Sequence, residues 1–212
     1  MKKLLHLICA ILIVPVAGFG AQKKTVDVFQ AAYEGKFSII SQAIEKGSDV
    51  NQTNGKGETL LMIAAANGQN KVVKFLIAKK AKLNLKDKEE KTALYYAITN
   101  TQNETAKLLV NAGAELSDQS EHSDTALILS TSVNMNELME LILKRDPTLI
   151  NKTNKYGKTP LHEAAKHGNE ETVKILKSSG ADLQLKDEKG RTPLDIANKA
   201  QNHAVAKLLT TK

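Results

Sequence analysis

The residues best equipped for chemistry in this 212-residue chain form the run His162-Glu163-Ala164-Ala165-Lys166-His167. Two histidines with a glutamate beside the first suggest a zinc-hydrolase helix, but that motif sets its histidines four apart on one helical face. Here they stand five apart, which turns the second about 140° around a helix of 3.6 residues per turn. The two rings therefore do not converge on one ion. Gly157-Lys158-Thr159 ends like a phosphate-binding loop, yet Lys152 occupies the place of the leading glycine and no apolar strand precedes it. Gly55 and Gly57 have the spacing of a turn and nothing more. The single cysteine is Cys9, near the N-terminus. Nucleophilic catalysis beyond it would need a serine or threonine beside a base, and His122, His162, His167 and His203 suggest no triad. The chain is therefore expected to be no enzyme, with no catalytic residue, no bound metal and no cofactor.

What positions these residues is a repeat. A threonine followed two residues later by leucine recurs at Thr59, Thr92, Thr125, Thr159 and Thr192, at spacings of 33, 33, 34 and 33 residues. Small residues follow in register at Ala64-Ala65, Ala97, Ser130, Ala164-Ala165 and Ala197. A second apolar pattern at helical spacing comes next, as in Val72-Val73-x-Phe75-Leu76 and Val173-x-Ile175-Leu176. A turn such as Gly47-Ser48-Asp49, Gly113-Ala114-Glu115 or Gly180-Ala181-Asp182 then closes a unit. Each unit reads as a short helix, a tight turn, a second helix and an extended turn. The triplets at Asn51, Asn103 and Asn151 match the glycosylation pattern, but two of them coincide with the repeat's own asparagine.

At Asn154-Lys155-Tyr156-Gly157-Lys158-Thr159-Pro160-Leu161-His162-Glu163-Ala164-Ala165-Lys166-His167-Gly168, completed by Gly180-Ala181-Asp182, the chain resembles an ankyrin repeat. The expected fold is all-α: an ankyrin-repeat solenoid of about six helix-turn-helix repeats joined by β-turn fingers. The expected units are 26–53, 54–86, 87–119, 120–153, 154–186 and 187–212, within one domain over 21–212. The terminal units lack one neighbour and are expected to be more polar on that side. The fourth unit departs most. Ser120, His122 and Ser123 replace the turn's Asp and Gly, Ser130-Thr131 replace the paired alanines, and the exit Arg145–Asn151 is longer. It reads either as drift with a tolerated loop insertion or as a bend or partner-specific loop.

Residues 1–20, MKKLLHLICAILIVPVAGFG, have the layout of a secretory signal peptide: Lys2-Lys3, an apolar stretch to Val14, Pro15, then Gly18 and Gly20 before Ala21. The stretch is short against the roughly 20 apolar residues that span a bilayer. A periplasmic or secreted protein is expected, with an uncleaved membrane anchor as the alternative. Removing the leader removes Cys9 and leaves a chain without thiols.

Composition narrows the partner. Aromatics are 4% with no Trp, so the core must be Leu, Ile, Val and Ala in thin layers. The formal charge is +7, but the basic residues are nearly all lysine, with arginine only at 145 and 191, and acids are mixed among them. Base readers and phosphate clamps favour arginine, so no nucleic acid is expected. The resemblance implies protein binding through the turn tips and the exposed side of the first helices. Carried over by position, the contact sites are Lys155, Tyr156, Lys158, Lys166, His167 and Lys186 of the fifth unit and Glu188, Lys189 and Arg191 of the sixth. The third unit supplies Lys88, Glu89, Lys91, Thr99 and Asn100, and the second Gly55, Lys56, Glu58, Ala66 and Asn67. Tyr156 stands out as an aromatic on a polar tip. Tyr95 takes the position of His162, and the pair Tyr95-Tyr96 reads as structural. The basic tips imply a partner acidic in surface, and the chain is expected to be monomeric without stable membrane insertion. It is expected to bind, inhibit or chaperone an envelope protein, or alternatively to act as a secreted effector on a host protein; binding of nucleic acid or an anionic surface through the lysines is the least favoured alternative.

Overall fold

The computed structural model describes residues 27–117 and 119–210. The leader reading concerns residues 1–20, which lie outside the described residues. Twelve helices follow one another in pairs: α1 (Val28–Tyr33) and α2 (Phe37–Glu45), α3 (Leu60–Ala66) and α4 (Asn70–Ala78), α5 (Ala93–Thr99) and α6 (Asn103–Asn111). The second half continues with α7 (Ala126–Ser132) and α8 (Asn136–Arg145), α9 (Pro160–His167) and α10 (Glu170–Ser178), α11 (Pro193–Lys199) and α12 (His203–Thr210). Among the described residues the only β-type pairing is an isolated bridge between Thr53 and Thr59. Odd-numbered helices stack on odd and even on even, giving an inner and an outer layer with an extended turn projecting between successive pairs.

The recurring threonine starts each inner helix. Thr59, Thr92, Thr125, Thr159 and Thr192 hold extended backbone angles, and each Oγ1 accepts the amide three residues on, at 3.1–3.4 Å. Such a cap is worth about 1 kcal/mol. In the first pair Asp27 performs the same task, accepting from Phe29 and Gln30. Each inner helix ends in a left-handed residue at Gly35, Gly68, Thr101, Asn134, Gly168 or Gln201, which reverses the chain into its outer helix. At two of these reversals the side chain that follows reaches back one repeat. Gln69 donates to the Tyr33 carbonyl and Asn202 to the Ala165 carbonyl.

The core is made of Leu, Ile, Val, Met and Ala, as the composition requires. Ala64, Ala97, Ala164 and Ala197 are wholly buried between inner helices. Ser130 and Thr131 are wholly buried at these places in the fourth pair, and both hydroxyls donate to the Leu127 carbonyl, so neither is left unsatisfied. The longer exit of this pair is packed. It forms a 3-10 turn over Pro147–Asn151 that buries Leu149, and the Arg145 guanidinium donates to the carbonyls of Val110 and Ala114 in the preceding repeat, at 2.8 and 2.7 Å.

The expectation of polar end units fails at the N-terminal side. Only Ala31, Ala32 and Ile40 of the first pair are fully buried, while Val28, Phe29, Phe37, Ile39 and Ile44 stay partly exposed, because among the described residues only one side of this pair has a helical neighbour. Phe37 turns edge-on to Phe75, with the Lys71 ammonium 4.3 Å from its ring centre. At the other end Asp195, Asn198 and Lys199 face solvent.

Two tip glycines separate backbone strain from crowding. Gly157 (φ +69°) and Gly190 (φ +72°) are both left-handed, but a Cβ on Gly157 would lie 2.9 Å from the Glu188 amide nitrogen, whereas one on Gly190 meets nothing within 4 Å. Gly190→Ala is expected to cost about 1–2 kcal/mol, the left-handed penalty alone. Gly157→Ala adds an overpacking cost of about 1–3 kcal/mol. Urea unfolding of the two variants should place Gly157→Ala well below Gly190→Ala, and equal midpoints would show that the tips do not press on one another.

Candidate binding face of the solenoid

Every tip but the fourth is built by an Asx turn. The side-chain oxygen of Asn54, Asp87, Asn154 or Asp187 accepts two amides of its own tip, two and four residues on, at 2.9–3.1 Å. Successive tips are joined through the backbone: Lys88 donates to the Lys56 carbonyl, Lys155 to His122 and Glu188 to Tyr156, at 3.0–3.1 Å. Among the described residues no such bond joins Glu89 and Glu121. At that seam the fourth tip is enlarged by one residue. Gln119 rather than Ser120 pairs with the end of the tip at Asp124, and its buried amide donates to the carbonyls of Glu115 and Ser117 while accepting from the Thr92 hydroxyl. Ser120, with only a hydroxyl, accepts a single amide, that of His122.

His162 is 1% exposed and both of its ring nitrogens are engaged. Nδ1 accepts the Thr159 amide at 3.1 Å, so the proton sits on Nε2, which donates to the Arg191 carbonyl of the next tip at 3.0 Å. The histidine thus ties an inner helix to the neighbouring tip. Other repeats solve the same position differently: Met62 accepts the Thr59 amide through sulfur, and Asp195 accepts the Thr192 amide. Tyr95 stacks edge-on against Tyr96, whose hydroxyl donates to buried Asp87 at 2.5 Å. Burial and this hydrogen bond push the Tyr96 phenol well above the usual range.

The other expected contact residues divide into committed and open ones. Lys158 donates to Glu163 at 2.8 Å, and His167 and Lys166 approach the same carboxylate at 3.6 and 4.0 Å. Glu163 is 8% exposed, and of these basic groups only Lys158 is bonded to it, which leaves Lys166 and His167 open on the inner face. Arg191 forms a two-pronged pair with Asp187. Burial raises the Asp187 carboxyl, but the Arg191 guanidinium and the amides of Arg191 and Lys189 outweigh it and bring it down to about 2. Lys88 donates to the Gly55 carbonyl, and Lys91 pairs with Glu89. Lys155, Tyr156, Lys166, His167, Lys186, Glu188 and Lys189 are exposed. A shallow cleft between the second and third tips is lined by Lys56, Glu58, Lys88, Glu89 and Tyr96, with both charge signs present. Tyr33 was not among the expected contacts. It is 56% exposed at the end of the first inner helix, the position that Ala66, Thr99 and Lys166 hold in later repeats. The missing threonine start of the first unit hid that alignment. Among the described residues no three His, Cys, Asp or Glu side chains gather to hold a metal.

Burial holds the His162 imidazole below its ordinary pKa. The unfolded chain therefore takes up the proton first, so stability is full above about pH 6.5 and falls as the pH drops below that unfolded value toward the depressed folded one. Thermal melts from pH 7.5 to 5 should show this loss, and His162→Gln should be less stable at pH 7.5 with a flatter profile. An unchanged slope in the variant would assign the pH dependence to other groups.

The family described as ankyrin repeats (3 copies) matches residues 28–120 and 127–212. Among solved structures, the chain is similar to one in the complex described as the Bd0816 predatory endopeptidase from Bdellovibrio bacteriovorus with immunity protein Bd3460. Identity there is 36%, covering 87% of this chain and 97% of that one, with a TM-score of 0.81. It is also similar to EF0377, an ankyrin repeat protein, at 26% identity over 87% of this chain and 96% of that one, with a TM-score of 0.79. No curated protein matches the chain.

Proposed function

The chain belongs to the ankyrin-repeat family, and from that premise we propose that it is a non-catalytic binding module acting outside the cytoplasm as an immunity-type inhibitor of an envelope enzyme. The observation that carries this reading is the likeness, over nearly the whole of both chains, to a complex that pairs an endopeptidase with an immunity protein. Of those two roles, the immunity partner is the one a stack of helix pairs would fill. The groups here best suited to chemistry are spent on the fold: His162 on a tip carbonyl, Lys158 on Glu163 and Arg191 on Asp187. What remains is an extended inner face, the surface that solenoids use for partners.

The charges left open on that face decide what it attracts. Exposed lysines stand on the tips of both halves, Lys56 and Lys88 as well as Lys155 and Lys189, but at the inner-helix ends the fifth repeat carries Lys166 and His167 where the second and third carry the neutral Ala66, Asn67, Thr99 and Asn100. An acidic partner surface would be steered to the fifth repeat. The leader at 1–20 would place the encounter in the periplasm, with release from the cell and action on a host protein as the second reading.

A pull-down from envelope extract with residues 21–212 as bait tests the proposal. The expected catch is one stoichiometric enzyme whose hydrolytic activity falls as bait is added. Capture should weaken several-fold between 50 and 300 mM salt, because exposed charges are screened over about 8 Å at physiological ionic strength. A captured protein whose activity is unaffected overturns the inhibitory role. Export of the mature chain to culture supernatant, with no catch from the envelope, shifts the target outside the cell.

A further inference from the structure

The third position of each tip carries Lys56, Glu89, His122, Tyr156 and Lys189 in turn. Only at the junction of the fourth and fifth tips do two rings adjoin, with the His122 and Tyr156 centroids 5.5 Å apart and tilted by 59°. The Lys155 ammonium lies 5.2 Å from the centre of the same Tyr156 ring. Among the described residues, Tyr156 is one of two exposed large apolar side chains, at 41%, and the other, Tyr33, lies at the far end of the stack. We propose that His122, Tyr156 and Lys155 form a preassembled shelf that receives a partner-protein segment carrying a carboxylate beside an apolar side chain. The proposal rests on the binding-module reading and assigns a binding role to the divergent fourth repeat.

Three features favour a built surface over drift. The two tips are locked together by the Lys155 amide on the His122 carbonyl at 3.0 Å and by the Asn154 amide group on the Asp124 carboxylate at 2.9 Å. The preceding seam lacks that backbone link, and the extra residue at Gln119 enlarges the fourth tip there. The His122 ring is free of strong side-chain bonds. Its Nδ1 is buried without a hydrogen-bond partner, and its Nε2 lies 3.6 Å from Glu121, beyond hydrogen-bond length. The tilted Tyr156 ring is the aromatic neighbour against which it packs.

The chemistry of the occupant follows from charge and polarisability. A tyrosine face with a cation over it takes an apolar or aromatic group at little entropic cost, since the ring is already placed. Lys155 and, one tip on, Lys189 carry positive charge on the C-terminal flank, with Glu188 beside Lys189, while Glu121 and Asp124 are the carboxylates on the N-terminal flank, so Lys155 is the cation that adjoins the rings. A segment docks with its carboxylate toward Lys155 and its apolar side chain on the rings, since the opposite orientation sets like charges together.

In-cell photocrosslinking tests this with the full chain in its own cells. A benzophenone side chain is placed at Glu188 beside the shelf, at Tyr33, and at Lys74 on the exposed side of α4. An adduct is expected from position 188, mapping to a partner peptide with Asp or Glu next to an apolar residue, and none from position 74. Adding His122→Ala, Tyr156→Ala or Lys155→Glu to the 188 probe should cut its yield at least tenfold. His122→Phe should restore it by keeping a ring on Tyr156. Unchanged melting curves for the purified variants would exclude loss of fold as the cause. A 188 adduct that survives His122→Ala, or that maps to a peptide without acids, overturns the shelf and leaves the binding module standing. So does an adduct formed only from position 33 or 74. No adduct from any of the three sites overturns both.

Discussion

The structure depends on how closely successive inner helices approach. Each inner helix is at most eight residues long and would not hold together alone in water. It persists because its apolar face is buried against its neighbours in the stack, and alanine at 64, 97, 164 and 197 keeps the helices slim enough for that contact. Threonine caps begin the helices and left-handed residues end them. These devices specify where each helix starts and stops, while the stack supplies the stability.

The same approach governs the tips. Asx turns shape all but the fourth locally, and backbone bonds across every seam but the third-to-fourth carry the stacking outward to the tips. Gly157 is needed because the next tip passes close to it, while Glu90, at the same place on the looser third-to-fourth seam, tolerates a left-handed angle. Arg145 offsets that looseness from behind by bonding two carbonyls of the preceding repeat. The divergence of the fourth repeat is therefore distributed through one set of linked contacts, from Gln119 at the front to Arg145 at the back.

Much of this was legible in the chain. The threonine-leucine period and the small residues in register gave the helix pairs, and the five-residue spacing of His162 and His167 argued correctly that the two rings do not share a face. His162 indeed spends its nitrogens on a turn. Which tip residues stay open was not legible. Lys158 and Lys155 look equivalent in sequence, yet one is held by Glu163, five residues on, while the other lies over the Tyr156 ring.

The sequence by itself determined the period, the layer order and the caps, because these depend on residues within one repeat and recur every 33 or so positions. The arrangement of the tips required the tertiary structure. It depends on pairs such as His122–Tyr156 and Gln119–Thr92, whose members lie in different repeats and meet only once stacking has set the distance between tips. A repeat pattern states what each unit contains. Whether a side chain is spent on its neighbour or left for a partner is decided by the gap between units.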